Sequence, residues 1–230
     1  MAIYLSEQNN SNQYAKKYNL QNGCILENAI EDRFFDVSMQ HTGEKKHEEG
    51  IQYLFVANYG ENKNHDMLLS AYSHAQIGKS QLVFVGFEEN EYLDMLRQHE
   101  AEWLKEQAEK EVVFGVGKSR EEVYELYRRS DIFVCSSKSE TWSIVVHEAA
   151  ATGMTIISTD VGTIGRIEGT TIVATEQEMK EAMELLYYDD DLRQKNGKKA
   201  ARWMEDQNCR ISDKVEWLEQ RLKQLQQGKE

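Results

Sequence analysis

Proline is absent from all 230 residues, where about 5% would be usual. No loop has its φ fixed by a pyrrolidine ring, so the unfolded chain keeps more conformational freedom to lose on folding. That bears on stability and says nothing direct about function. Cysteine is scarce. Cys24, Cys135 and Cys209 are odd in number and far apart, which argues against a disulfide framework or a zinc cluster and for a reducing compartment. Basic residues are in deficit, 27 against 40 acidic ones, for a net charge of −13. Nucleic acid and anionic membrane surfaces are therefore not expected as main partners. A nucleotide is not excluded, because it needs only one local cationic pocket. No apolar run approaches the roughly 20 residues of a spanning helix. The first residues, Met1 to Asn10, lack the basic and apolar regions of a signal peptide. The expectation is a soluble, cytoplasmic chain.

The length suits one domain of ordinary size, or one plus a fragment. Short apolar runs read as buried strands: 51–57, 81–85, 112–114, 132–135, 155–158 and 171–174. Between them lie helical patterns at 65–77, 91–109, 119–129 and 142–152. Ser119 followed by Glu122 has the capping-box spacing that starts a helix. Continuous apolar strands alternating with helices predict an α/β fold, a doubly wound parallel sheet covered on both faces. Such sheets bind ligands outside the carboxyl ends of their strands. Residues 58–63, 86–90, 115–118, 136–141 and 160–165 are all expected there. Residues 37–50 are polar and read as a linker or loop. The Rossmann-like domain is placed at 51–195, followed by helices over 196–230. The three acids Asp189, Asp190 and Asp191 look like a helix start rather than a metal site. His41, His47, His65, His74 and His99 are scattered without metal-ligand spacing. No phosphate loop of the Walker type is present.

The most informative stretch runs from Ser137 to Gly153. It sets Glu140 at the mouth of an apolar helix and Glu148 inside it. Between Ile144 and Ala151 only His147 and Glu148 are polar. A carboxylate on so apolar a helix is costly to bury unless something binds it, and a ligand carrying hydroxyls is one such partner. His147 is turned about 100° from its neighbour around the helix, which points to a packed histidine.

This stretch resembles the signature of the retaining, nucleotide-sugar-dependent glycosyltransferases of the GT-B fold, the glycosyltransferases group 1 family. Four further blocks are similar in the same order: Val56 to Ala71, Leu82 to Gly86, Arg120 to Val134, and Thr159 to Gly162. The resemblance covers roughly 51–205, and weakly 3–36, where Ile3–Ser6, a helix near Asn10–Tyr18 and Gly23 to Phe35 look like the last pieces and crossover of the family's N-terminal domain. The rest of that domain is missing. The family usually has proline in three motifs where this chain reads Glu27-Asn28-Ala29, Cys135-Ser136-Ser137 and Met154-Thr155-Ile156.

The resemblance implies roles. Glu148 would accept hydrogen bonds from two vicinal ribose hydroxyls, the alternative being a glutamate salt-bridged in the core. Glu140 would sit beside the donor sugar, the alternative being an exposed loop acid. The backbone N–H groups of Thr141, Trp142 and Ser143 would bind the diphosphate with the helix dipole, although Trp142 and Ser143 are bulkier than the family's Gly-Phe-Gly-like pattern and Trp142 could equally be core. Lys63 would neutralise the leaving diphosphate. Its usual companion, an arginine five residues earlier, is Asn58 here. Arg166 stands where the family often has an acidic residue and is a candidate replacement cation. The stretch around Gly117, 115–118, would cradle the nucleobase.

The fold expected is thus the C-terminal nucleotide-sugar-binding half of a GT-B enzyme with a remnant of the other half. No cofactor and no metal are expected. The donor would be a nucleotide diphosphate sugar, a UDP-sugar foremost, and the acceptor a saccharide or glycoconjugate reached through the missing domain. The reaction implied is retaining hexosyl transfer, in surface polysaccharide or glycoconjugate synthesis, with the isolated chain inactive. The rivals are a non-catalytic nucleotide-sugar-binding module or partner subunit, and a nucleotide-sugar epimerase of the same fold.

Overall fold

The structure is a computed structural model that describes residues 2–4, 17, 23–37 and 50–226. The linker expected at 37–50 lies outside the described residues except at its ends, as does the helix expected near residues 10–18 apart from Lys17. Two short strands, β1 (Ala2–Tyr4) and β2 (Gly23–Ile25), pair in parallel. A 3-10 helix follows at Asp32–Val37.

The main sheet has strands β3 (Ile51–Val56), β4 (Ser80–Gly86), β5 (Lys110–Val116), β6 (Ile132–Cys135), β7 (Thr155–Thr159) and β8 (Thr171–Val173). Their order is β5-β4-β3-β6-β7-β8, and every pairing is parallel. The central strands β3 and β6 are rich in β-branched and aromatic residues. Tyr53, Leu54, Ile132, Phe133 and Val134 are fully buried, as a strand covered on both faces requires. The strand order reverses direction between β3 and β6, which opens a crevice at their carboxyl ends.

The helices are α1 (His65–His74), α2 (Glu91–Trp103), α3 (Arg120–Arg129), α4 (Ile144–Ala151), α5 (Glu176–Tyr188), α6 (Asp190–Asp206) and α7 (Ile211–Gln226). Helix α1 packs with α2 and α5, whereas α4 packs with α6. Opposite windings from the centre place these two groups on opposite faces. The doubly wound architecture expected from the sequence is therefore present.

Several boundaries differ, each for a tertiary reason. Helix α1 stops at His74 because the Lys110 ammonium donates to the carbonyls of Tyr72, Ser73 and Ala75 at 2.9, 3.0 and 2.6 Å, a cation at a helix C-terminus. Helix α2 stops at Trp103 rather than near residue 109. The Gln107 amide there donates to the Ser73 and Trp103 carbonyls at 2.9 and 3.0 Å and turns the chain into β5. Helix α6 runs unbroken across residue 195, where the sequence reading ends the domain. Asp189 caps it through Leu192 N–H at 2.8 Å, so the acidic triplet is a helix start.

The stretch from Ile30 to Phe35 is docked on the turn between α6 and α7. Ile30 donates to the Cys209 carbonyl at 2.8 Å, and Ile211 returns a bond to Ile30 at 3.0 Å. Ser212 N–H donates to Asp32 at 3.2 Å, and Arg210 lies over the Phe35 ring at 4.1 Å. Among the described residues no helix is long and apolar enough to cross a membrane.

Candidate functional site

The loops after β3, β4 and β5 are tied into one platform at the carboxyl edge of the sheet. Tyr59 donates to the Gly115 carbonyl at 2.9 Å, Asn90 donates to the Tyr59 carbonyl at 3.0 Å, and Gly117 N–H donates to the Gly86 carbonyl at 3.2 Å. Gly117 holds φ at +61°, a left-handed turn that favours glycine. A cavity of about 420 Å³ opens here, lined by Asn58, Lys63, Phe87, Lys118, Glu140, Trp142 and the start of α4, among others. That is a volume suited to a small ligand.

Lys63 and Glu140 meet across this crevice, Nζ to Oε1 at 2.6 Å. One follows β3 and the other β6, so their meeting is a product of the strand-order reversal. The pair is braced from both sides. Ser137 donates to Glu140 Oε1 at 2.9 Å, Ser136 donates to the Lys63 carbonyl at 2.8 Å, and Lys138 N–H donates to the Asn62 carbonyl at 2.8 Å. Both side-chain bonds to Glu140 fall on Oε1, which leaves Oε2 available. From the next strand, Gly162 sits so close that a Cβ would lie 2.6 Å from the Thr141 carbonyl oxygen and 2.9 Å from that of Glu140. Only a glycine lets the loop after β7 support the signature from below.

Helix α4 begins at Ser143 with no side-chain cap, and so does α1 at Asn64. Four other helices, α2 and α3 at the same edge among them, are finished differently. Asn90, Ser119, Thr175 and Asp189 each accept a backbone N–H of their own helix. The two helices that start at the switch point therefore keep donors that no side chain of their own satisfies, and these carry the positive end of the helix dipole. An anion is the natural complement.

Of the residues singled out from the sequence, Asn58, Lys63, Glu140, Trp142 and Ser143 line the cavity. Thr141 and Gly117 lie in the adjoining loops and do not line it. Arg166 is exposed in a 3-10 turn and does not line the cavity; Lys118 is the second lysine that does. The Trp142 ring packs inward, stacked on His147 with centroids 3.6 Å apart. The His147 Nδ1–H donates to the Ser143 carbonyl at 2.8 Å, Nε2 has no partner, and burial pushes its pKa down to about 4. It is a packed, neutral histidine.

Glu148 departs most from expectation. It is 1% exposed and stands behind the cavity wall, one turn beyond Val145. Its Oε1 is paired with the Arg120 guanidinium, which also holds Glu31 at 2.8 Å and lies 4.9 Å over the Phe34 ring. Its Oε2 is buried without a hydrogen-bond partner, beside a Tyr127 phenol whose pKa is raised by burial and by this carboxylate. The core salt bridge is thus present, and it uses one of the two oxygens. Nothing in the sequence linked Arg120 to a residue 28 positions away. Phe87 and Lys118 also line the cavity, from the loops 86–90 and 115–118 expected at the strand ends, as do Val123 and Ile144, which were not singled out.

The family profile described as glycosyl transferases group 1 matches residues 38–203. None of the curated proteins compared with the chain matches it. Among solved structures, sucrose-phosphate synthase from Thermosynechococcus elongatus is similar with a TM-score of 0.75 at 18% identity, over 98% of this chain and 58% of that one. Anabaena HepE, solved in complex with UDP and glucose, gives 0.75 at 14% identity, over 96% and 62%. The C-terminal domain of a group 1 family protein from Francisella tularensis gives 0.61 at 19%, over 80% of this chain and 96% of that domain. At such identities the likeness is one of fold, and the chain spans about 60% of the length of the first two. With its Rossmann-like sheet and the profile match over most of its length, the chain belongs to the glycosyl transferases group 1 family.

Proposed function

We propose that this chain is the donor-binding half of a retaining hexosyltransferase, which takes a hexosyl group from a nucleotide diphosphate sugar, UDP-sugars foremost, and passes it to an acceptor hydroxyl. Surface polysaccharide or glycoconjugate synthesis is the setting the reading favours. The observation that carries it is the Lys63–Glu140 pair at the switch point, beside the uncapped start of α4.

The chemistry follows from the geometry. The donor's bond between the anomeric carbon and the diphosphate oxygen breaks, and negative charge collects on the leaving diphosphate. The Lys63 ammonium has three donors, so it can keep Glu140 and still take a phosphate oxygen. The first N–H groups of α4 take others. These donors are in place before charge develops, which is where such groups lower a barrier. Glu140, anchored through Oε1, presents Oε2 to the sugar hydroxyls and to the positive charge that develops at the anomeric carbon. Glu148 Oε2 is buried behind Val145 while Oε1 stays on Arg120, so for it to accept a ribose hydroxyl the wall at the start of α4 must open. In UDP-bound neighbours such as HepE the nucleotide is part of the complex, which supports a UDP donor here. The acceptor would be held by the family's N-terminal half, and these 230 residues alone are not expected to turn over.

The test is calorimetric titration of the chain with UDP, GDP, ADP and their hexose conjugates, repeated on Glu140→Ala and Glu148→Ala. The reading expects one nucleotide to bind, its sugar conjugate to bind more weakly in Glu140→Ala, and the nucleotide itself to bind more weakly in Glu148→Ala. Absence of binding at millimolar ligand would sink it. Asn58, where the family has a cation, favours a second reading, a module that binds the nucleotide sugar for a partner subunit. Product formation on adding a separate N-terminal half would exclude that reading.

A further inference from the structure

The cavity has two unlike ends. At one stand the Lys63 ammonium, Glu140 and the start of α4. At the other stand Val85, Gly86, Phe87, Lys118 and Val123. Phe87 is 73% exposed, more than any other large apolar residue described. Single exposed apolar residues are ordinary. This one differs in its surroundings, because the loop that displays it is fixed on three sides. Gly86 accepts from Gly117 N–H at 3.2 Å, Val85 accepts from Ala57 N–H at 2.9 Å, and Asn90 closes the loop on Tyr59 at 3.0 Å. The ring is therefore an exposed aromatic on a rigid mount, at the mouth of a cavity whose other end suits a diphosphate. It follows β4, two strand positions from the signature loop after β6, or roughly 10 Å at the usual strand spacing.

We propose that the Phe87 ring is the stacking face for the nucleobase of the donor. The inference rests on the nucleotide-sugar reading above and adds to it the residue that holds the base. A nucleoside diphosphate laid with its phosphates on Lys63 and the α4 N-terminus extends its base toward β4 and β5. The ring's flat apolar face would otherwise stay in water. Stacking on a phenyl ring tolerates any base, so Phe87 supplies affinity and leaves base identity to the hydrogen-bonding edge of the loop around Gly117 and Lys118.

The test compares nucleotide with inorganic pyrophosphate, titrated calorimetrically into the unaltered chain, Phe87→Ala and Phe87→Tyr. The nucleotide is whichever of UDP, GDP and ADP binds the unaltered chain most tightly. Phe87→Ala is expected to weaken nucleotide binding roughly 5- to 100-fold and to leave pyrophosphate binding unchanged, with Phe87→Tyr close to the unaltered chain. Equal nucleotide affinity in Phe87→Ala would overturn the proposal, as would an equal loss for pyrophosphate, which would mark a merely structural role. Pyrophosphate binding as tight as nucleotide binding in the unaltered chain would remove the base contribution altogether, while leaving the diphosphate site standing. No binding of either ligand would bring down this inference together with the reading it rests on.

Discussion

The amino end of the sheet carries a hollow larger than the candidate site at the carboxyl end. At the amino ends of β3, β4 and β5 a hollow of about 530 Å³ is lined by Gln52, Gln81, Lys110 and Glu111 with their neighbours. Four of its polar side chains are already paired. Ser130 donates to Gln52 at 2.8 Å, Gln52 donates to Gln81, and Gln81 donates to Glu111 at 2.7 Å. Lys110 is committed to three carbonyls. At the carboxyl ends the smaller cavity keeps two uncapped helix starts and, just behind its wall, a buried carboxylate oxygen without a partner. What separates a crevice from a site is the stock of polar groups the fold leaves unpaired, because only those gain when a ligand arrives. Volume alone does not tell them apart.

The largest expected effect that sharpens this contrast is acid lability confined to the carboxyl end. Burial holds His65 and His147 at pKa values near 4. Both are neutral in the fold, whereas an unfolded histidine titrates near 6.5. Below pH 6.5 the unfolded chain binds the extra protons, so stability falls as pH drops from about 6.5 to about 4, by about 3 kcal/mol for each histidine. Urea midpoints measured across this range should show it, and His65→Phe, which suits the surrounding rings of Phe55, Tyr59 and Phe84, should remove about half of the slope. An unchanged slope would mean that the His65 ring is not buried as described.

Next in size is Lys63→Met. Loss of one charge-assisted bond to a phosphate corresponds to about 1.5–3 kcal/mol, so nucleotide diphosphate affinity should fall roughly 10- to 150-fold. The paired control is Gln81→Leu at the other end, which should cost stability and leave nucleotide affinity intact. Loss of affinity in Gln81→Leu would break the contrast. The smallest effects concern the helix starts. Ser119→Ala removes a capping box and should cost about 1 kcal/mol in thermal or urea unfolding. Ser143→Ala removes no side-chain cap and should stay within about 0.5 kcal/mol. Equal costs would show that α4 is capped in solution and its N–H groups are not held for a ligand.

Much of the fold was legible because its signals are local. Ile51–Val56 and Ile132–Cys135 read as buried strands from composition alone, and Ser119 with Glu122 formed the capping box their spacing predicts. Helix ends were less legible. Lys110 stops α1 and Gln107 turns the chain after α2, and neither contact is written in the segment it ends. The site divides the same way. Lys63 and Glu140 were named from the sequence, but their 2.6 Å meeting depends on strand order. Glu148 was named too, while its partner Arg120 and the exposed Phe87 ring carry no pattern that a linear reading detects.

The clasp between Ile30 and the stretch from Cys209 to Ser212 has a mechanical consequence. It brings the stretch after β2 and the turn between α6 and α7 to one place, and from there Glu31 reaches Arg120, which reaches Glu148. A pull on the start of α7 would therefore reach the back wall of the cavity through Ile30, Glu31 and Arg120.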